Sequence, residues 1–87
     1  MSAEDAKEKA KENLNIALDM NPHFDAANLN FGILYEQEGL ILLAKEYYKN
    51  AYVLGNGNTI SEIAATHFNR LTEDEVQVYY KANISQP

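Results

Sequence analysis

The sequence predicts an all-α fold, an array of antiparallel helical hairpins with about five helices. Three observations carry that prediction. Apolar residues recur at steps of three and four along the whole chain, and no segment alternates with the period of two that a half-buried strand needs. Glycine, proline and capping residues cut the pattern into pieces of helical length. The pieces then match one another at a nearly constant spacing, which is the mark of a repeat architecture.

The first helix is expected over residues 3–20. Ala3, Ala6, Ala10, Leu14 and Ala17 form one stripe, and Glu4, Asp5, Lys7, Glu8, Lys9, Lys11 and Glu12 fill the opposite, solvated face. Pro22 stops it, because the residue before a proline is pushed out of helical geometry. Asp25 is placed to cap a second helix, with Phe24 and Leu29 as a hydrophobic staple. That helix should reach Glu38, where Gly39 can take the left-handed conformation that ends a helix. A third helix is expected from about Leu40 to Leu54, closed in the same way by Gly55, with Gly55-Asn56-Gly57-Asn58 as the turn. Thr59-x-x-Glu62 reads as a capping box for a fourth helix, with the stripe Ile60, Ile63, Ala64, His67, Phe68 and Leu71. Thr72-x-x-Glu75, with Leu71 and Val76 as a staple, reads as the start of a fifth helix ending near Asn83. Short loops between such pieces imply antiparallel neighbours.

Self-comparison orders the pieces. Ala10-Lys11-Glu12 with Ala17 recurs as Ala44-Lys45-Glu46 with Ala51, a step of 34 residues (44 − 10). Tyr47-Tyr48-Lys49 recurs as Tyr79-Tyr80-Lys81, a step of 32 (79 − 47), and that step sets Gly32 on Ala64 and Tyr35 on His67. Helices one, three and five are therefore of one kind, two and four of another. Gly32 sits mid-helix, where it costs about 1 kcal/mol against alanine. Such a glycine is reasonable where another backbone comes close, and Ala44 and Ala51 are small enough to allow it. Tyr35, Tyr47, Tyr48 and Tyr80 are expected to fill the space between units.

A helix–turn–helix unit near 34 residues resembles the tetratricopeptide repeat. Asn28, Phe31-Gly32 and Tyr35 look like that family's first-helix pattern, and Ala44, Tyr48 and Ala51 like its second. Pro22, closing Ala17-Leu18-Asp19-Met20-Asn21, matches the family's terminal proline. The resemblance implies one domain with a superhelical arrangement: half a repeat over 1–24, a full repeat over 25–56 and a degenerate one over 57–87. Asn28, Asn56 and Asn83 depart from the family's aromatic, proline and alanine at those places.

Composition narrows the function. Seven basic against thirteen acidic residues leave a formal net charge of −6, the reverse of a nucleic-acid binder, so no nucleic acid is expected as a partner. The longest apolar run, Leu40-Ile41-Leu42-Leu43-Ala44, is far short of the roughly 20 residues of a membrane span. No membrane contact is expected, and with no signal peptide visible in the charged N-terminal stretch the expected location is cytoplasmic. No cysteine is present, so no disulfide or thiolate metal site can form. His23 and His67 stand in no metal-ligand spacing, and neither a nucleophile elbow nor a phosphate loop occurs. The acidic trio Glu73-Asp74-Glu75 suits a helix start, where the dipole favours negative charge. Asn83-Ile84-Ser85 matches a glycosylation sequon, a pattern frequent by chance. Neither catalysis nor a metal or other cofactor is expected.

The resemblance implies instead a concave groove that takes an extended or helical segment of another protein. Carried over residue by residue, its lining would be Ala26, Leu29, Ile33, Glu36 and Gln37, then Ser61, Ala65, Phe68 and Asn69. Leu29 and Ile33 replace the lysine and asparagine with which one subfamily grips a terminal carboxylate, so an apolar partner is expected. The alternative is a structural module, either homo-oligomeric or a slice of a longer array. Leu40, Leu42 and Leu43 would then supply a self-association patch, with one of the three turned into the core.

Overall fold

The computed structural model describes residues 2–83, which form four helices: α1 (Ala3–Met20), α2 (Asp25–Gln37), α3 (Ile41–Gly55) and α4 (Thr59–Asn83). The last four residues, including Ile84 and Ser85 of the sequon, lie outside that range. No strand occurs among the described residues. Each helix packs antiparallel on the next, α3 on both α2 and α4, while α1 touches α2 alone. The result is a slab of 53 × 36 × 17 Å. Its radius of gyration is 15.1 Å, against about 12 Å for a globule of this length.

The first three helices fall where the sequence predicts them, with different capping chemistry. Ser2 caps α1, its Oγ accepting from the Asp5 amide at 3.1 Å. Phe24, not Asp25, is the cap residue of α2, and Asp25 is the first helical residue. The Asp25 carboxylate accepts from the Ala26 amide at 2.7 Å and from Asn58 Nδ2 at 2.8 Å, which ties the starts of α2 and α4 together. Gly39 does take the left-handed conformation (φ +80°). The Gly39 and Leu40 amides then donate to the Glu36 and Tyr35 carbonyls, closing α2.

At the end of α3 the left-handed residue is Asn56 (φ 49°), not Gly55. Gly55 is still helical, and its lack of a side chain serves a close approach. A Cβ there would lie 2.5 Å from Asn58 Oδ1 and 2.9 Å from the Ser61 amide nitrogen. The cap of α4 is likewise one residue earlier than the capping box predicts: Asn58 Oδ1 accepts from the Ser61 amide at 2.9 Å.

The larger correction concerns the expected fifth helix. Residues 59–83 form one continuous helix, so the described residues form four helices and the third repeat-like piece is not a hairpin. Between Asn69 and Glu75 there is neither glycine nor proline, and every residue there tolerates helical geometry. The capping box at Thr72 is a preference and not a breaker. Unused as a cap, Thr72 keeps a buried Oγ1 that has no hydrogen-bond partner.

The core gathers Leu29, Ala44, Tyr48, Ala51, Ala64 and Leu71, with Ile33, Tyr35, Ile41, Ile60 and Phe68 packed against it. Tyr48 is fully buried, and its ring lies over Gly32, so the close approach expected at Gly32 is to this ring between the alanines. Phe31, Tyr35 and Tyr47 stack with centroids 5.1–5.7 Å apart. Tyr80, expected to fill space between units, is instead half exposed. Burial fits the expected step of 32, which sets buried Leu29 on Ser61 and buried Gly32 on Ala64, and equally a step of 33, which sets Asn28 on Ser61 and Phe31 on Ala64.

Candidate functional site

The sequence-predicted groove is divided between two faces of the slab. On α2, Leu29 is buried in the core and Ile33 packs against it, with Ala26 half-buried and Gln37 exposed. Glu36 is committed: its Oε1 accepts from the Tyr48 hydroxyl at 2.7 Å, and both its oxygens accept from Arg70 Nη2 at 2.8 Å. Burial opposes the charge of Glu36, but the hydrogen bonds from Tyr48 and Arg70 outweigh it and hold the carboxyl below its ordinary range. Burial, followed by the same carboxylate, pushes the Tyr48 phenol well up. His67 completes this group, stacked on Tyr48 at 5.0 Å with Nδ1 3.0 Å from Arg70 Nη2. These four residues lock α2, α3 and α4 to one another.

The other face of the α3–α4 pair is open. A cavity of about 420 Å³ lies between the two helices, lined by Lys49, Tyr52 and Val53 of α3 and Ala65, Phe68 and Asn69 of α4. Ala65, Phe68 and Asn69 thus come together as expected, but Leu29 and Ile33 are not with them. Asn69 lies two residues past His67, roughly 200° around the helix at about 100° per residue. The α2 side of α4 and the cavity side are therefore nearly opposite. Ser61, also expected in the groove, is buried beneath it and donates through Oγ to the Tyr52 carbonyl at 2.7 Å. That bond holds the α3 wall against α4.

The cavity wall is mostly apolar and exposed. Tyr52 is 53% and Val53 62% exposed, large apolar side chains with no internal use for their exposure. Lys45 flanks the groove with its Nζ 5.0 Å from the centre of the Phe68 ring and 3.3 Å from Glu75 Oε1. Lys49 stands on the rim and makes no ion pair among the described residues. Sequence reasoning missed Lys49, Tyr52 and Val53. Their signal was present, since Tyr52 and Val53 lie off the Ala44–Tyr48–Ala51 stripe of α3, two apolar residues where a solvated face should be polar.

A second patch lies at one end of the slab. Leu40, Leu42 and Leu43 are all exposed, Leu42 most at 75%, and none of the three turns inward; their neighbour Ile41 packs on the core instead. No group of three His, Asp or Glu side chains among the described residues is placed to hold a metal ion. None of the described helices is long and apolar enough to cross a membrane. Comparison with protein-family models, curated proteins and solved structures finds no match.

Proposed function

We propose that this chain is a protein-binding module whose open α3–α4 face receives a helical segment of a partner through apolar contacts. The observation that carries this reading is the 420 Å³ groove walled by exposed Tyr52 and Val53 and floored by Ala65 and Phe68. A groove between two helices with an apolar floor suits an amphipathic helix laid along it. Lys49 on the rim favours an acidic residue at the edge of the bound helix. The resemblance of Asn28, Phe31-Gly32, Tyr35, Ala44 and Tyr48 to tetratricopeptide repeats supports the same reading, with a scaffold of packed hairpins as its frame. Binding is preferred to catalysis because the polar clusters have structural work. The Glu36–Tyr48–His67–Arg70 group joins helices, and Asp25–Asn58 ties two helix starts.

The test is a charge placed on the groove wall. Val53→Glu is expected to abolish capture of the partner from cells while far-ultraviolet circular dichroism and the melting curve stay as in the parent chain. Retention of every specifically captured protein by a folded Val53→Glu chain would remove the groove as the site.

A further inference from the structure

α1 and α3 carry the same segment, Ala10-Lys11-Glu12 with Ala17 and Ala44-Lys45-Glu46 with Ala51. The lysine makes the same two kinds of contact in each. Lys45 lies over the Phe68 ring and pairs with Glu75 of α4. Lys11 lies 5.4 Å from the centre of the Tyr35 ring and pairs with Glu38, the residue that ends α2. The two helices differ in their surroundings. α3 is held between α2 and α4, and its Ala44, Tyr48 and Ala51 are fully buried. α1 touches α2 alone, and the counterparts Ala10, Leu14 and Ala17 all stay partly exposed.

No residue of α1 is buried, and none belongs to the core cluster, which α2, α3 and α4 complete between them. Its half-buried residues, Lys7, Ala10, Lys11, Leu14, Ala17 and Leu18, form one stripe of small or flexible side chains. Among the described residues, Glu38 is the one group beyond α1 that pairs with a side chain of α1. The connection to α2 is an exposed turn over residues 21–24. Asn21 holds it, its carbonyl accepting from the Phe24 amide and its Oδ1 from the His23 amide, both at 3.1 Å.

We infer that α1 is a strap that undocks as a unit while α2, α3 and α4 stay folded, with Lys11 on Glu38 and the Tyr35 ring as its latch. The turn over residues 21–24 is the hinge, since rotation there leaves every contact of the core cluster in place. Opening therefore needs far less free energy than global unfolding. It lifts the Lys11 ammonium from the Tyr35 ring and uncovers one side of the Phe31–Tyr35–Tyr47 stack. The fold thus holds an aromatic surface that the chain itself covers and can uncover. The strap works apart from the α3–α4 groove, whose walls contain no residue of α1.

Amide hydrogen exchange, followed residue by residue in the full chain, tests this. In the parent chain the amides of α1 should be protected, yet exchange at least about tenfold faster than those of residues 44–51. Lys11→Glu sets a second carboxylate against Glu38 and should speed exchange across α1 at least about threefold. Residues 44–51 should keep their parent rates. Adding Glu38→Lys to Lys11→Glu restores an opposite pair and should return α1 close to its parent rates. Lys9→Glu, at an exposed position of the same helix, controls for net charge and should change α1 little. A single rate shared by α1 and α3, with both responding to Lys11→Glu, overturns the strap. So does an α1 that exchanges as an unfolded chain in the parent, because it would not be docked. Exchange in α1 that ignores Lys11→Glu, or that is not restored by the charge swap, overturns the latch and with it the strap.

Discussion

Replacing Gly32 with alanine adds one methyl group at the tightest point of the core. Its Cβ would sit 2.6 Å from both Cδ1 and Cε1 of Tyr48, well inside contact distance. Tyr48 has little freedom to withdraw, being fully buried, stacked on His67 and bonded through its hydroxyl to Glu36. Helix propensity favours alanine by about 1 kcal/mol. Against it stand overpacking, about 1–3 kcal/mol, and weakening of a hydrogen bond to a charged acceptor, about 1.5–3 kcal/mol. The net expectation is a loss of about 1.5–5 kcal/mol. With a urea slope of about 1 kcal/mol/M for so small a chain, the unfolding midpoint followed by helical circular dichroism should fall by about 1 M or more. The decisive control is the same change in a Tyr48→Ala background, where the methyl group has room. There Gly32→Ala should become neutral or stabilising by up to about 1 kcal/mol. An unchanged midpoint in the parent background, or an equal loss in both, would show that Tyr48 does not rest on Gly32.

Further expectations follow from the same contacts. Gly55→Ala should lower the urea midpoint by the equivalent of about 1–3 kcal/mol, because its Cβ meets Asn58 and Ser61. Gly57→Ala, in open space but at φ +85°, should cost only the backbone strain, about 1 kcal/mol. Ile33→Asp should destabilise the fold by several kcal/mol on thermal unfolding, since Ile33 packs on the core. The Glu36 carboxyl is held below its ordinary value of 4.5, so the stability it contributes is full above that pH and is lost as pH falls through the lower folded value. A Glu36→Gln chain should show a shallower loss of stability between neutral pH and about pH 3, and parallel acid unfolding curves would contradict the assignment. Tyr48 and Lys11 have raised values, so their contributions should disappear on the alkaline side, above about pH 10.

Much of the fold was legible because local signals and packing agreed. Pro22 and Gly39 ended helices where stated, and the Ala44–Tyr48–Ala51 stripe became the buried face of α3. The fifth helix was not legible, because a capping box states only that a helix could start at Thr72. Nothing between Asn69 and Glu75 forces one to stop. The caps at Asp25 and Thr59 were each assigned one residue late: Phe24 takes the cap position with no side-chain bond while Asp25 accepts from the next amide, and Asn58, adjacent to Thr59 and equally able to accept, is the cap of α4. The site was half legible. Ala65, Phe68 and Asn69 were read correctly as neighbours, but pairing them with Leu29 and Ile33 assumed that α2 and α4 present a shared face. The Glu36–Arg70 ion pair and the Tyr48 ring turn that side of α2 inward, and Tyr52 and Val53 take its place as the wall.

The most direct measurement is an intramolecular distance between spin labels at residues 53 and 79, taken with labelled chain diluted in excess unlabelled chain. Residue 53 lies beside the start of α4, and residue 79 is roughly 18 helical residues further on, about 27 Å at 1.5 Å per residue. A continuous α4 with an open groove therefore predicts a single distance of about 25–30 Å. A distance near 10 Å, the spacing of two packed helices, would mean that residues 72–83 fold back into the groove of their own chain and leave nothing open for a second helix.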